Sequence, residues 1–332
     1  MILRIFRSNQ PFTAIFVILL ALLLWVPEWM RPIEWDDQNS FLLSGLFNAI
    51  NETPWLVHSL NLIFAVSGAL GLNKIFNRSE FHSKSNHLPA FFFILTAFLF
   101  MPLQSFHPVL PALVLSLPAL SFMLSVYRQT RVLHEYFMSG FWIGISALIY
   151  LPMAGLFIPL LISILYTRAF NWRELLLPLI AGTLPVAYWF IYAIFMNQDA
   201  LESAAFAYSS VGNLQRLDLY QESALVFCGL LFFPSLLEYL RSYGFSSNRS
   251  RNIKSVFTIM SIGFLLIAAV GVYYHHSGEL LLLSAPLAVY YAMHFLELKK
   301  KWVANVILAL FFAIVIFRIF RLAAYLSDMS II

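Results

Sequence analysis

The sequence predicts an all-α fold, a polytopic transmembrane helical bundle of about eleven spans forming a single integral membrane domain over residues 1–332. Three observations predict it. Charged residues make up 11% of the chain and hydrophobic residues 61%, with 33 Phe; soluble domains are roughly 25% charged and 45–50% apolar. Apolar stretches recur at close to the roughly 20 residues that cross a hydrocarbon layer. Lys and Arg gather in alternate connections between those stretches, the bias that sets orientation in a bilayer.

The spans fall at 11–30, 55–73, 88–106, 108–126, 137–152, 154–167, 175–196, 224–240, 256–276, 280–296 and 303–326. The first follows MILRIFRSNQ, which superficially resembles a signal peptide. Its apolar run continues from Phe12 past Trp25 to Trp29–Met30 without a small-residue cleavage site, so a retained first helix is expected. The fifth and sixth are short and meet at Leu151-Pro152-Met153-Ala154-Gly155. Two spans or one re-entrant hairpin would both leave the sidedness of later segments unchanged.

With the N-terminus in the cytoplasm, 16 of the 20 Lys and Arg residues fall on inner segments, among them Arg78, Arg168, Arg249, Lys254 and Lys299–Lys301. The exceptions are Arg31, Arg216, Arg318 and Arg321. The positive-inside bias then puts the C-terminus on the outer side of the membrane. The net charge of +4 follows from this asymmetry, and no nucleic-acid partner is expected. Lys299–Lys301 read as a stop signal able to attract anionic lipid.

Two outer loops are long enough to hold structure. In the first, 31–54, Phe41, Leu42, Leu46, Phe47 and Ile50 share one helical face opposite Asn39, Ser44, Asn48 and Asn51, the pattern of an interfacial helix. In the fourth, 197–223, Val211, Leu214 and Leu217 repeat the spacing. The single Cys228 lies in an apolar segment and rules out a disulfide framework or a CxxC site. Walker, Rossmann, nucleophile-elbow and HExxH patterns are absent, which argues against an ATP-driven pump and a conventional soluble-type hydrolase.

Three groups could carry chemistry. Glu34, Asp36 and Asp37 pack three carboxylates into four residues at the start of the first outer loop. Adjacent carboxylates can deprotonate an attacking hydroxyl or hold a divalent metal, Mg or Mn; the alternative is that they are the charge an outer loop tolerates. Arg318 and Arg321, spaced i, i+3, share a helix face. Arginine inside an apolar helix is costly, and a guanidinium pair suits a lipid phosphate or diphosphate; the alternative is snorkelling to the headgroups. His275, His276 and Glu279 stand in the turn between the ninth and tenth spans, and His58 with Asn61 near the outer end of the second. Adjacent histidines do not share a helix face, so they fit a phosphate or sugar contact, or a polar hairpin, better than a metal.

This layout resembles the GT-C class of membrane glycosyltransferases. Glu34-Trp35-Asp36-Asp37 matches both the ExD and DD forms of that class's first-loop acidic motif, and Ser40–Asn51 follows as the membrane-lying helix. His275-His276-Ser277-Gly278-Glu279, followed by Leu280-Leu281-Leu282-Leu283-Ser284-Ala285-Pro286, is similar to the polar turn and LLxxxP-like helix start of many such enzymes. The resemblance implies a GT-C-like fold, Asp36 or Asp37 as base or metal ligand, and Arg318 or Arg321 on the donor phosphate. The middle of the chain, with FWIGISALIYLP and FNWRELLLPLIAGTLP, looks more like an uncharacterised bacterial multi-pass inner-membrane family.

The leading expectation is therefore a glycosyltransferase that moves a sugar from a polyprenyl-phosphate donor on the outer face, needing either no cofactor or a divalent metal. Its partners would be membrane lipids and the polyprenyl-linked sugar, with protein partners left open. A non-enzymatic scaffold of an envelope or secretion complex is the alternative. A secondary transporter or lipid flippase ranks third; it would need broken helices near the midplane, for which Pro152–Gly155 and Pro178–Pro185 are the suggestive places.

Overall fold

Proline marks where several helices begin. It occupies the first turn of α1 (Pro11–Trp25), α2 (Pro54–Arg78) and α3 (Leu88–Phe100), where its fixed φ suits the helix and its missing N–H costs nothing. The computed structural model describes residues 6–7, 10–26, 53–101, 108–127, 129, 132–168, 170–195, 219–244, 246–273, 277–298 and 300–329. The chain continues through α4 (Val109–Ser125), α5 (Leu133–Ile149), a 3-10 turn (Leu151–Leu156), α6 (Phe157–Thr167), α7 (Trp172–Phe195), α8 (Leu219–Gly244) and α9 (Asn248–Tyr273). A second 3-10 turn (Ser277–Leu283), α10 (Ser284–Glu297) and α11 (Lys301–Met329) complete it.

Eleven α-helices thus stand where eleven spans are expected, with no strand among the described residues. Six helical stretches among those residues are long and apolar enough to cross a membrane. The two expected interfacial helices fall within 27–52 and 196–218, outside the described residues.

Several boundaries move for identifiable reasons. Helix α3 stops at Phe100, because Met101 precedes Pro102 and takes extended backbone with ψ of 129°. Helix α2 runs on to Arg78, beyond the expected 73, and α8 starts at Leu219, taking Tyr220 and Gln221 into its first turn. The short fifth and sixth spans form an antiparallel hairpin: Arg168, just after α6, donates to the Gln129 carbonyl just before α5. Helix α7 runs unbroken through Pro178 and Pro185.

The centre of the bundle is α3 packed on α10. Every residue of α3 is buried, as is most of α10. Phe92 is the hub, its ring 4.8 Å from Phe295, 5.9 Å from Tyr291 and 6.0 Å from Phe311. Aromatic pairs at such separations add about 0.5–1.5 kcal/mol beyond area burial. By contrast, α7 leaves Tyr188 81% and Phe195 83% exposed, as expected where lipid rather than water covers the face.

Helices α5 and α7 pack backbone against backbone. Gly140 and Gly144 on α5 face the backbone of Pro178 and Gly182 on α7, so closely that a Cβ at either glycine would collide with a carbonyl oxygen. Small residues four apart permit such contact in a bilayer, where dispersion and polar contacts drive association. Ser139 and Ser146 add cross-helix bonds from α5 to the Ala119 and Ala112 carbonyls of α4, at 3.2 and 2.6 Å.

Contacts between chain-distant residues sort the helix termini into two ends. At one, Arg7 donates to the Phe295 carbonyl, the His87 amide donates to the Phe6 carbonyl at 2.8 Å, and Glu238 meets His294 at 2.6 Å. This basic end also carries Arg78, Arg168, Arg241 and Arg249. At the opposite end, Trp25 meets Phe98, Tyr220 meets Met101, and Tyr150 meets Glu279.

At the basic end, α2 closes with a Schellman motif. The Phe81 amide reaches back to the Phe76 carbonyl and the Glu80 amide to the Asn77 carbonyl, while the Phe76 and Phe81 rings stack at 5.3 Å. That motif calls for a left-handed residue, usually glycine. Here Glu80 occupies it with φ of 55°, at a cost of about 1–2 kcal/mol for a residue bearing a Cβ.

Candidate functional site

At the end opposite the basic one, three helices converge on a buried arginine. Arg318 sits on α11, 0% exposed. Its guanidinium carbon lies 4.1 Å from the centre of the Phe98 ring on α3 and 5.7 Å from the Tyr220 ring on α8. Phe98 in turn meets Trp25 of α1 with ring centres 5.5 Å apart. The Tyr220 hydroxyl donates to the Met101 carbonyl at 3.2 Å, tying the start of α8 to the end of α3. The Arg318 side chain is thereby enclosed by aromatics from two other helices.

Arginine costs about 2.5–3.5 kcal/mol at the centre of a membrane helix, which is an upper bound for Arg318 near the end of its apolar stretch. A desolvated cation–π contact returns about 2 kcal/mol. The aromatic cage therefore offsets much of the cost and fixes the guanidinium plane, which matters for a group that recognises anions through paired N–H donors.

His58 is 9% exposed and Asn61 is buried, one and two turns into α2 from Pro54. Both face the bundle interior at the same end, as their i, i+3 spacing predicts. Gln221 is also buried, beside Tyr220 in the first turn of α8. Glu279, in the second 3-10 turn, is buried as well. Its Oε1 accepts the Tyr150 hydroxyl, and its carboxylate fills the space that a side chain on Gly271 of α9 would need.

Glu34, Asp36, Asp37, His275 and His276 lie outside the described residues, as does the side chain of Arg321. Their attachment points are described. Segment 27–52, which carries the three carboxylates, leaves α1 just after Trp25 and rejoins at Thr53, ahead of α2. Segment 196–218 rejoins at Leu219, next to Tyr220. Both therefore join the bundle at the end where Arg318 is buried. Among the described residues no three His, Cys, Asp or Glu side chains gather as a metal site.

Sequence reasoning missed Trp25, Phe98, Tyr220 and Gln221. The first two look like any apolar span residue. Tyr220 and Gln221 carry a usable signal, two polar-tipped residues at helical spacing from Ala224, which the expected start of that span at 224 leaves out.

A protein-family profile described as "Family of unknown function (DUF6427)" matches residues 39–326. The chain belongs to the DUF6427 family. No curated protein sequence matches it. Among solved structures, this DUF6427 chain is similar to the crystal structure of ArnT from Cupriavidus metallidurans bound to undecaprenyl phosphate, with a TM-score of 0.59 at 14% identity. The match covers 88% of this chain and 62% of that one, so the chain spans less than two thirds of the ArnT chain. At this identity the likeness is one of fold: an all-α, multi-pass helical membrane bundle.

Proposed function

We propose that this protein is a GT-C-like glycosyltransferase of the bacterial inner membrane, taking a sugar from a polyprenyl-phosphate donor on the periplasmic face. The observation that carries the reading is Arg318: a caged, fully buried guanidinium at the end of the bundle that receives both termini of the acidic segment. The fold likeness to a protein crystallised with undecaprenyl phosphate supports a lipid-phosphate ligand. The positive-inside bias makes the basic end cytoplasmic and the Arg318 end periplasmic.

In this reading Asp36 or Asp37 accepts the proton of the acceptor hydroxyl as its oxygen attacks the anomeric carbon. The bond from that carbon to the donor phosphate breaks, and Arg318, with Arg321 one turn on, stabilises the charge growing on the departing phosphate. Glu34 orients the carboxylate pair, while His58, His275 and His276 contact the sugar or phosphate. The same two aspartates are the proposed ligands if a divalent cation, Mg or Mn, takes part.

The test is glycan transfer in proteoliposomes supplied with polyprenyl-phosphate sugars. Replacing Asp36 and Asp37 together with Asn should abolish transfer while the protein stays monodisperse and helical. Full activity in that variant would sink the assignment and favour the scaffold reading.

A further inference from the structure

A second polar site lies at the basic end, far along the helices from Arg318. A cavity of about 230 Å³ opens where the end of α2, the end of α4 and the start of α9 meet. Arg78 and Arg249 line it, with Ser79 and Ser121 beside them and the buried Leu124 and Ile253 beneath. No carboxylate pairs with Arg78 among the described residues. The carboxylate that approaches Arg249 is Glu80, at 3.7 Å and largely solvent-exposed.

Two features make this more than a charged surface. The first is composition: two guanidiniums and the hydroxyls of Ser79, Ser121, Ser125 and Tyr127 around one cavity match the oxygens of a phosphate, and Leu124 and Ile253 suit the first acyl carbons of a lipid. The second is Glu80, held in the left-handed conformation at φ of 55°, where glycine would relieve the backbone. A strained residue whose side chain faces a cavity cation points to a role for that side chain. Here its carboxylate sits as a counter-ion on Arg249.

We propose that this cavity binds the phosphate group of an anionic phospholipid from the leaflet at the basic end, and that Glu80 is the resting counter-ion displaced from Arg249 on binding. The site does not depend on the glycosyltransferase reading. Because the lipid phosphate and Glu80 compete for one guanidinium, neutralising the arginines and neutralising Glu80 act in opposite directions.

The experiment is lipid retention by native mass spectrometry and thermal stabilisation in detergent, using phosphatidylglycerol, phosphatidylcholine and inorganic phosphate as separate additions. Wild type should prefer phosphatidylglycerol. Exchanging Arg78 and Arg249 together for Gln should weaken that preference about tenfold, from loss of two charge-assisted contacts, and Glu80→Gln should strengthen it. Exchanging Arg241 and Lys300 for Gln, which removes basic charge from the same end outside the cavity, should leave the preference standing. Arginine-dependent stabilisation by inorganic phosphate without a phosphatidylglycerol preference would overturn the lipid source. Equal loss in both arginine-containing pairs of variants would reduce the effect to general surface attraction and overturn the site. Should the Arg78 and Arg249 variant fail to fold, Glu80→Gln decides alone: unchanged or weaker phosphatidylglycerol binding overturns the proposal.

Discussion

Arg318 and Phe98 meet with the guanidinium carbon 4.1 Å from the ring centre, both buried in a bundle whose perimeter is apolar. Phe98 also holds Trp25, two residues before segment 27–52 leaves the bundle. One aromatic ring thus links the candidate phosphate-binding cation to the root of the acidic segment.

Arg318→Met should separate function from folding. Methionine keeps an apolar side chain of similar length in the Phe98 and Tyr220 enclosure and removes the cost of holding a charge in the apolar run, so the variant should stay helical and monodisperse in detergent. Glycan transfer should fall by at least tenfold, about 1.4 kcal/mol of transition-state stabilisation. Arg318→Lys should also lose activity, because an ammonium lacks the planar fork and stacks poorly. Transfer at the wild-type rate in the Met variant would remove Arg318 from the mechanism.

The number and order of the helices were legible because long apolar runs punctuated by basic clusters admit few other readings. Arg318 was legible because a charge is conspicuous in the apolar run of α11. Its cage was not: Phe98 is one Phe among 33, and only the crossing of α3, α8 and α11 selects it. Glu80 was invisible for a different reason. A left-handed helix end is normally flagged by glycine, and this one carries a carboxylate instead.

The packing of α5 on α7 gives a sharp stability prediction. Gly140→Ala or Gly144→Ala drives a methyl into a backbone carbonyl, which cannot swing aside as a side-chain tip would. Each should cost about 1–3 kcal/mol, the usual penalty of overpacking. Gly229 on α8 has nothing within 4 Å of its would-be Cβ, so Gly229→Ala should be neutral or gain up to about 1 kcal/mol in helix propensity. Unfolding in mixed micelles on raising the SDS fraction ranks the three.

Tyr150 and Glu279 tie the first 3-10 turn to the second. Removing the hydroxyl donor strips a buried carboxylate of that partner, so Tyr150→Phe should destabilise by about 1–3 kcal/mol. Glu279→Gln, which keeps an acceptor for Tyr150 and removes the charge, should cost less. Thermal unfolding of the two variants and their double gives the coupling energy; a coupling near zero would mean the charge of Glu279 adds nothing beyond what an amide oxygen supplies to Tyr150.

His87 sets a pH dependence at the basic end. It lies in the connection before α3, outside the spans, with Nδ1 2.9 Å from the Asn73 side-chain nitrogen. Burial holds its pKa below the ordinary 6.5, because desolvation disfavours the charged ring. The unfolded chain therefore binds the proton more readily than the folded one, and folding stability rises with pH through this window. The contribution is fully present above the unfolded value near 6.5 and is lost as pH falls through it toward the lower folded value. His87→Asn should consequently flatten the fall in melting temperature between about pH 7.5 and 5, leaving the high-pH plateau displaced by a constant amount. Parallel wild-type and variant curves across the whole range would show that another group carries the acid sensitivity.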